Sequence, residues 1–311
     1  MANSLEVSHP KVAGYQHADY AEALSEFGAP YHLSACNGWI LIRQIADHPW
    51  RDARGCYPIF SCGDWGALPH DLENIEQIIS LVMVTDPFGT YVPDSLSVCF
   101  PDLCVPYKQH HIIDLTRPLF ADLSEHHARN VRLATQQVEV QLCDDPFRFA
   151  NEWVDLYKTL IRRHQITGIA AFSDASLRKQ LQVPGTALFR ATAKNQTVGM
   201  MLWYQQQNVG YYHLAAYSDV GYELKASFAV MARSIEYFST HAQFLSLGAG
   251  AGAFESSEDG LSRFKRGWAT GIRTAYLCGR IFDRMKYDQL VAERGITTGD
   301  FFPLYRTGEV S

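Results

Sequence analysis

The sequence predicts an α+β protein made of two units of similar plan, each a mixed, mostly antiparallel sheet flanked by helices. Three observations carry this. The second half reads β–β–β–α–β–loop–β–α. The first half holds a continuous apolar run, Ile78–Val84, of the kind a fully buried strand shows. The turn signal Thr85-Asp86-Pro87-Phe88-Gly89 cuts it off. The chain, 311 residues with 47% hydrophobic content, is also comfortable for two cored domains. The expected division is 1–140 and 141–311.

The elements follow in order. His17–Phe27 reads as a short helix ended by Gly28 and Pro30, with strands expected at Gly38–Ile45 and Gly55–Phe60 and a helix at Leu68–Gln77. After the Ile78–Val84 strand comes another at Tyr107–Leu115. Asp122–Thr135 is helical and carries Arg129 and Arg132, three apart on one face. Asp145-Pro146 opens a further helix, with Asp as cap and Pro at the first helical position. Phe149, Trp153, Leu156 and Leu160 give that helix one apolar face. Thr186–Ala193 and Thr197–Gln205 form a hairpin about Lys194-Asn195-Gln196, and Val209–Tyr217 is the third strand. Leu224, Phe228, Met231, Ile235 and Phe238 recur at spacings of three and four, an amphipathic helix. A strand at Phe244–Leu247, a basic loop, a strand near Gly271–Phe282, a helix at Asp283–Arg294 and a tail around Phe301–Arg306 complete the chain.

Charge narrows the partners. A formal net charge of -6 lacks the basic excess of a general nucleic-acid binder, so no DNA partner is expected. The seven cysteines are scattered without a CxxC pair, and the doublets His110-His111 and His126-His127 point their side chains apart. No metal site is expected. No run approaches the ~18 apolar residues of a membrane span, and the first residues lack the pattern of a signal peptide. A cytoplasmic protein is expected, with peripheral attachment at the inner membrane face as the alternative.

The chemistry concentrates in Asp259-Gly260-Leu261-Ser262-Arg263-Phe264-Lys265-Arg266-Gly267-Trp268. It follows an apolar strand and the glycine-rich stretch Gly248-Ala249-Gly250-Ala251-Gly252, and precedes another strand. A Lys beside an aromatic near exposed backbone N–H groups suits a developing oxyanion or a carboxylate. The other reading is a solvated basic loop whose Phe and Trp pack inward. The glycines lack GxGxxG spacing and read as a sharp turn at a strand end near a cleft.

From Val209 to Trp268 the chain resembles the C-terminal domain of the FemABX-like branch of the GNAT acyltransferase superfamily. The matching residues are Tyr-Tyr-His-Leu-Ala-Ala-Tyr at 211–217, the helix start Lys225-Ala226-Ser227, and the Gly260–Trp268 run with its Phe-Lys and Gly-aromatic pairs. The helix with Arg129 and Arg132 resembles the Arg-bearing helix that joins the two halves in that branch. The resemblance implies two tandem GNAT-like domains and transfer of an acyl group, acetyl or aminoacyl, to an amine of a small molecule or cell-envelope precursor. It implies Lys265 as oxyanion stabiliser, with Phe264 and Arg263 shaping the substrate pocket beside Gly248 and Gly250. Arg129 and Arg132 are candidates to hold a substrate phosphate or carboxylate, with a solvated or domain-bridging helix face as their other and slightly favoured reading. Asp86 is the candidate base, with the capping of a Pro turn as its other reading. Tyr217 is a candidate acid or hydrogen-bond donor, or a packed side chain with a satisfied hydroxyl. Acyl-CoA is the expected donor, because the chain is acidic and shows no arm for the aminoacyl-tRNA that Fem-type enzymes use. The pyrophosphate loop of ordinary GNATs would fall at Ser218–Glu223, where Gly221 stands alone. That departure leaves a second reading, a non-catalytic binding protein on the same fold in a surface-polysaccharide or envelope pathway.

Overall fold

The structure is a computed structural model and describes residues 12–250, 260–296, 298–299 and 301–309. Eleven strands form one sheet. In chain order they are β1 (Ala29–Leu33), β2 (Gly38–Gln44), β3 (Arg51–Gly55), β4 (Ile78–Val84), β5 (Leu103–Asp114), β6 (Glu139–Leu142), β7 (Thr186–Ala193), β8 (Gln196–Gln206), β9 (Val209–Tyr217), β10 (Phe244–Ser246) and β11 (Gly271–Ile281). The helices are α1 (Ala18–Ala23), α2 (Leu68–Asn74), α3 (Pro93–Cys99), α4 (Glu125–Thr135), α5 (Ala150–His164), α6 (Asp174–Gln180), α7 (Asp219–Glu223), α8 (Ala226–Phe238), α9 (Gly260–Arg266) and α10 (Arg284–Glu293).

The two expected sheets run together, in the order β1-β2-β3-β4-β11-β5-β10-β9-β8-β7-β6. The plan repeats about the centre. In the first half β3 runs parallel to β4, and in the second β9 runs parallel to β10. The last strand of each half then crosses over. β5 pairs antiparallel with β10, β11 pairs antiparallel with β4, and β5 and β11 pair with each other. Each half therefore supplies a strand to the other's hydrogen-bond ladder, which ties the halves through backbone bonds as well as side chains.

Local chemistry explains most elements. The Ser124 hydroxyl caps α4 by accepting the His127 N–H, and the Asp145 carboxylate accepts the Phe147 N–H ahead of α5. Trp153 and Leu156 of α5 are buried on one sheet face with Tyr15, Tyr20 and Leu202. Met231, Ile235 and Phe238 of α8 are buried on the other with Phe189, Trp203 and Leu247.

Three expectations need correction. The strand expected at Gly55–Phe60 lies earlier, at β3, and Phe60 keeps only an isolated bridge to Thr85. The expected basic loop is, from Gly260, the helix α9, whose Ser262 and Lys265 face inward. The expected tail is docked, with Tyr305 and Arg306 buried. The edge strand β1, with Pro30 where no ladder N–H is needed, and the Ser173-capped helix α6 were not foreseen.

Candidate active site

The parallel strands β9 and β10 stay paired only from Phe244↔Val209 to Ser246↔Tyr211. Beyond Ser246 the chain turns to β5, with Leu247 N–H donating to the His111 carbonyl and His111 N–H donating to the Gly248 carbonyl. β9 runs on to Tyr217, so a fork opens at Tyr212. Lys265 projects from α9 into this fork. Its side chain is buried, with Nζ 2.6 Å from the Ala249 carbonyl it donates to and 5.3 Å from the centre of the Tyr212 ring. An ammonium held over a ring face in a buried place is an electrostatic asset to any anion that forms there.

Two residues missed by sequence reasoning, His110 and Ser246, lie in the same region. His110 is buried, with Nδ1 3.3 Å from the Ser246 hydroxyl. Burial, and next the Lys265 charge, push its pKa down to about 3, so it is neutral imidazole at physiological pH. The His110-His111 doublet drew attention only as a metal candidate, and nothing local marked His110 as the inward member.

Phe264 and Trp268 carry α9 against α4. They surround His127 together with Phe228, and His127 Nε2 lies 3.0 Å from the Phe264 carbonyl. This aromatic contact fixes the helix from which Lys265 extends. Arg263 is exposed on α9, away from the fork. Arg129 and Arg132 are exposed on α4, and neither has a partner among the described residues. Gly250 ends the described segment, and the rest of the glycine-rich stretch, with Asp259, lies outside the described residues.

Tyr217 belongs to the Lys265 side of the sheet. It shares a core cluster with Trp268 and Leu247, with Tyr212 and Phe264 packed against it. Its ring lies flat on Gly199, where any side chain would collide with it. Its hydroxyl is buried without a hydrogen-bond partner, and burial raises its pKa, so the phenol stays protonated. A buried orphan donor is costly to a fold and invites a functional reading.

Asp86 lies on the opposite side. It accepts hydrogen bonds from Tyr211 at 2.9 and 3.0 Å, Ser61 at 2.7 Å and the Phe88 N–H at 2.9 Å. Tyr211 and Tyr212 are neighbours on one strand and point to opposite faces. Asp86 therefore meets the face opposite Tyr212, the face that Ser246 and His110 also share by register. Asp86 is 2% exposed, and its ties to Tyr211 join a turn of the first half to a strand of the second. Burial raises its carboxyl pKa, while the hydrogen bonds oppose the shift. The sign follows: stability associated with Asp86 is full below the unfolded pKa and is lost as pH rises through the raised folded one. Asp86→Asn is expected to remove this loss, its amide donating to Ser61 or to the buried, unpartnered Gln206 Oε1. Denaturant melts between pH 4 and 8 should show the variant gaining on the parent as pH rises. A variant that loses ground toward pH 8 would show instead that the native state stores the ionised carboxylate.

Gly221 sits in α7. Its N–H donates to the Ser218 hydroxyl at 3.1 Å, and a Cβ there would overlap the Val198 carbonyl oxygen. The glycine thus serves a close approach of α7 to β8. Gly221→Ala is expected to cost about 1–3 kcal/mol, read as a shift in the unfolding midpoint. No change would mean that the α7 backbone yields freely.

No family model matches the sequence, and no curated protein matches it. Solved structures do match its fold. FemX is 14% identical, with a TM-score of 0.67 over 91% of this chain and 95% of its own. The C-terminal domain of a putative lysylphosphatidylglycerol synthetase from Agrobacterium fabrum is 11% identical, with a TM-score of 0.60 over 92% and 95%. L-PGS from Bacillus licheniformis is 12% identical, with a TM-score of 0.57 over 92% and 98%. The chain has a GNAT-like fold of the FemABX-like type.

Proposed function

We propose that the protein transfers an acyl group from an activated ester or thioester to an amine. The observation that carries this reading is Lys265, a buried cation at the fork of β9 and β10 in a chain with the FemX fold. The neutral amine attacks the carbonyl carbon, and the tetrahedral oxyanion forms where Lys265 can stabilise it in place of the Ala249 carbonyl. Collapse breaks the bond to the leaving oxygen or sulfur. Tyr217 donates its proton to that atom and regains one from the new ammonium. Asp86 takes no part, its buried carboxyl being held by Tyr211, Ser61 and the Phe88 N–H.

The donor is better read as an aminoacyl ester than as acyl-CoA. The segment that would cradle a pyrophosphate is the helical turn α7, opened by Asp219, and its Gly221 N–H is already used by Ser218. By analogy of fold, the lysyl group in the name of the putative lysylphosphatidylglycerol synthetase supports the same choice, against the acidic net charge of -6 that favoured acyl-CoA. The test is incubation with aminoacyl-tRNA and, separately, with acetyl-CoA, over a panel of amine acceptors. Turnover with the first supports the reading. Turnover with acetyl-CoA alone overturns the donor assignment. Binding without turnover by either would point to the non-catalytic role.

A further inference from the structure

Arg54 is a cation that the fold leaves unanswered. It lies on β3 and is partly buried, and its Nε is buried with no hydrogen-bond partner. No hydrogen bond or ion pair joins it to any described residue. Asp52, two positions earlier on the same face, is already saturated. It takes the Arg43 guanidinium in two bonds of 3.0 Å and the Arg306 guanidinium in bonds of 2.8 and 3.1 Å. Burial, and next the like charge of Arg43, lower the Arg54 pKa to about 10. An unpaired guanidinium in such a place raises the free energy of the empty protein unless something pairs with it.

The strand register shows what lies beside it. Arg54 pairs with Val82, Val84 with Leu277, and Leu277 with Val105, so these side chains share one face of the sheet. Val82, Val84 and Leu277 are only partly buried, and Val105 is 41% exposed. The other face of the same strands is covered, with Leu81, Met83 and Cys278 in a core with Leu96 of α3. An apolar floor of strands β4, β11 and β5 thus leads away from Arg54, bounded where Val84 packs against the core that Tyr57 also joins and where Phe302 lies over Gly279.

We propose that this floor binds a ligand with an anionic group, phosphate or carboxylate, paired to Arg54 and an apolar portion lying along Val82, Val84, Leu277 and Val105. Taking that ligand as the amine-bearing acceptor rests on the acyltransferase reading, but the site itself does not. One Arg with a planar fork of donors suits either anion, and the floor asks for hydrocarbon next to it.

The test uses the full chain and three short amphiphiles below their micelle-forming concentrations: octyl phosphate, octanoate and the neutral octyl glucoside. Phenylglyoxal, which attacks neutral guanidines, is expected to label Arg54 at least tenfold faster than Arg43 or Arg306. Octyl phosphate or octanoate should protect Arg54, and whichever protects at lower concentration identifies the anion. Equal protection by octyl glucoside, or none by either anion, would overturn the proposal. Arg54→Gln should weaken octyl phosphate binding tenfold or more without lowering the melting temperature, since it removes a partly buried cation whose Nε has no partner. Undiminished binding would also overturn it. If protection holds while no donor supports acyl transfer, the anion site stands and the acyltransferase reading falls.

Discussion

Asp52→Ala is expected to destabilise the protein by about 3–5 kcal/mol, the usual penalty for breaking a buried ion pair from one side. Asp52 is fully buried and holds four guanidinium hydrogen bonds, two from Arg43 and two from Arg306. The Tyr305 hydroxyl donates a fifth at 3.0 Å and also meets the Ser80 hydroxyl at 2.8 Å. Removing the carboxylate leaves two cations facing each other beside Arg54. The loss should exceed that from Arg43→Met or Arg306→Met, because each of those leaves one guanidinium still paired. Asp52→Leu combined with both Met substitutions should recover part of the stability, since the three charges that face one another are then gone and Arg54 and Glu309 are the charges left beside them. Urea denaturation of the set checks this, read as a shift in midpoint at constant slope. A loss below about 1 kcal/mol for Asp52→Ala would show that the cluster relaxes into water.

That cluster also marks where sequence reading runs out. Its members come from β2, β3 and the far end of the chain, separated by more than two hundred residues between Asp52 and Arg306, as the separation of 254 shows. Alternation and turn chemistry report on neighbours in sequence, so the end of the chain read as a tail. By contrast the Ile78–Val84 strand was legible to the residue, because an apolar run bounded by a Pro turn has one outcome. The α8 helix was legible from its spacing. The Gly260–Arg266 helix was read as a loop because its opening glycine and three basic residues suppress the apolar period, and its buried residues are only Ser262 and Lys265. The same polar inward face is what makes it a candidate site. Lys265 could be singled out from its motif, but its neighbours His110, Ser246 and Tyr212 come from three different strands, and only strand pairing brings them near. Asp86 was correctly placed at the end of a buried strand. Which face its partner Tyr211 would present depends on register, and register is not local.

Lys265→Ala is expected to lower kcat of the proposed transfer by about 100- to 1000-fold, equivalent to about 3–4 kcal/mol of oxyanion stabilisation, while KM changes little. The split matters. A residue that only supported α9 would lose stability and activity together. Here stability should hold, because the helix is anchored by Phe264 and Trp268 against His127 and Phe228. Lys265→Met keeps the volume and removes the charge, so it should match the Ala variant in kcat if charge is the operative property. Lys265→Arg should recover only part, since a planar guanidinium does not reproduce a compact ammonium over the Tyr212 ring. A second readout is independent of turnover. The Lys265 charge is one of the causes that depress the His110 pKa, so either neutral variant should raise it from about 3. Burial, the larger cause, remains, so the imidazole should still titrate below its ordinary value. Nuclear magnetic resonance titration of the His110 ring would follow this. Full kcat in Lys265→Met, with the His110 titration moved upward, would show the cation to be present at the fork yet not used in the reaction.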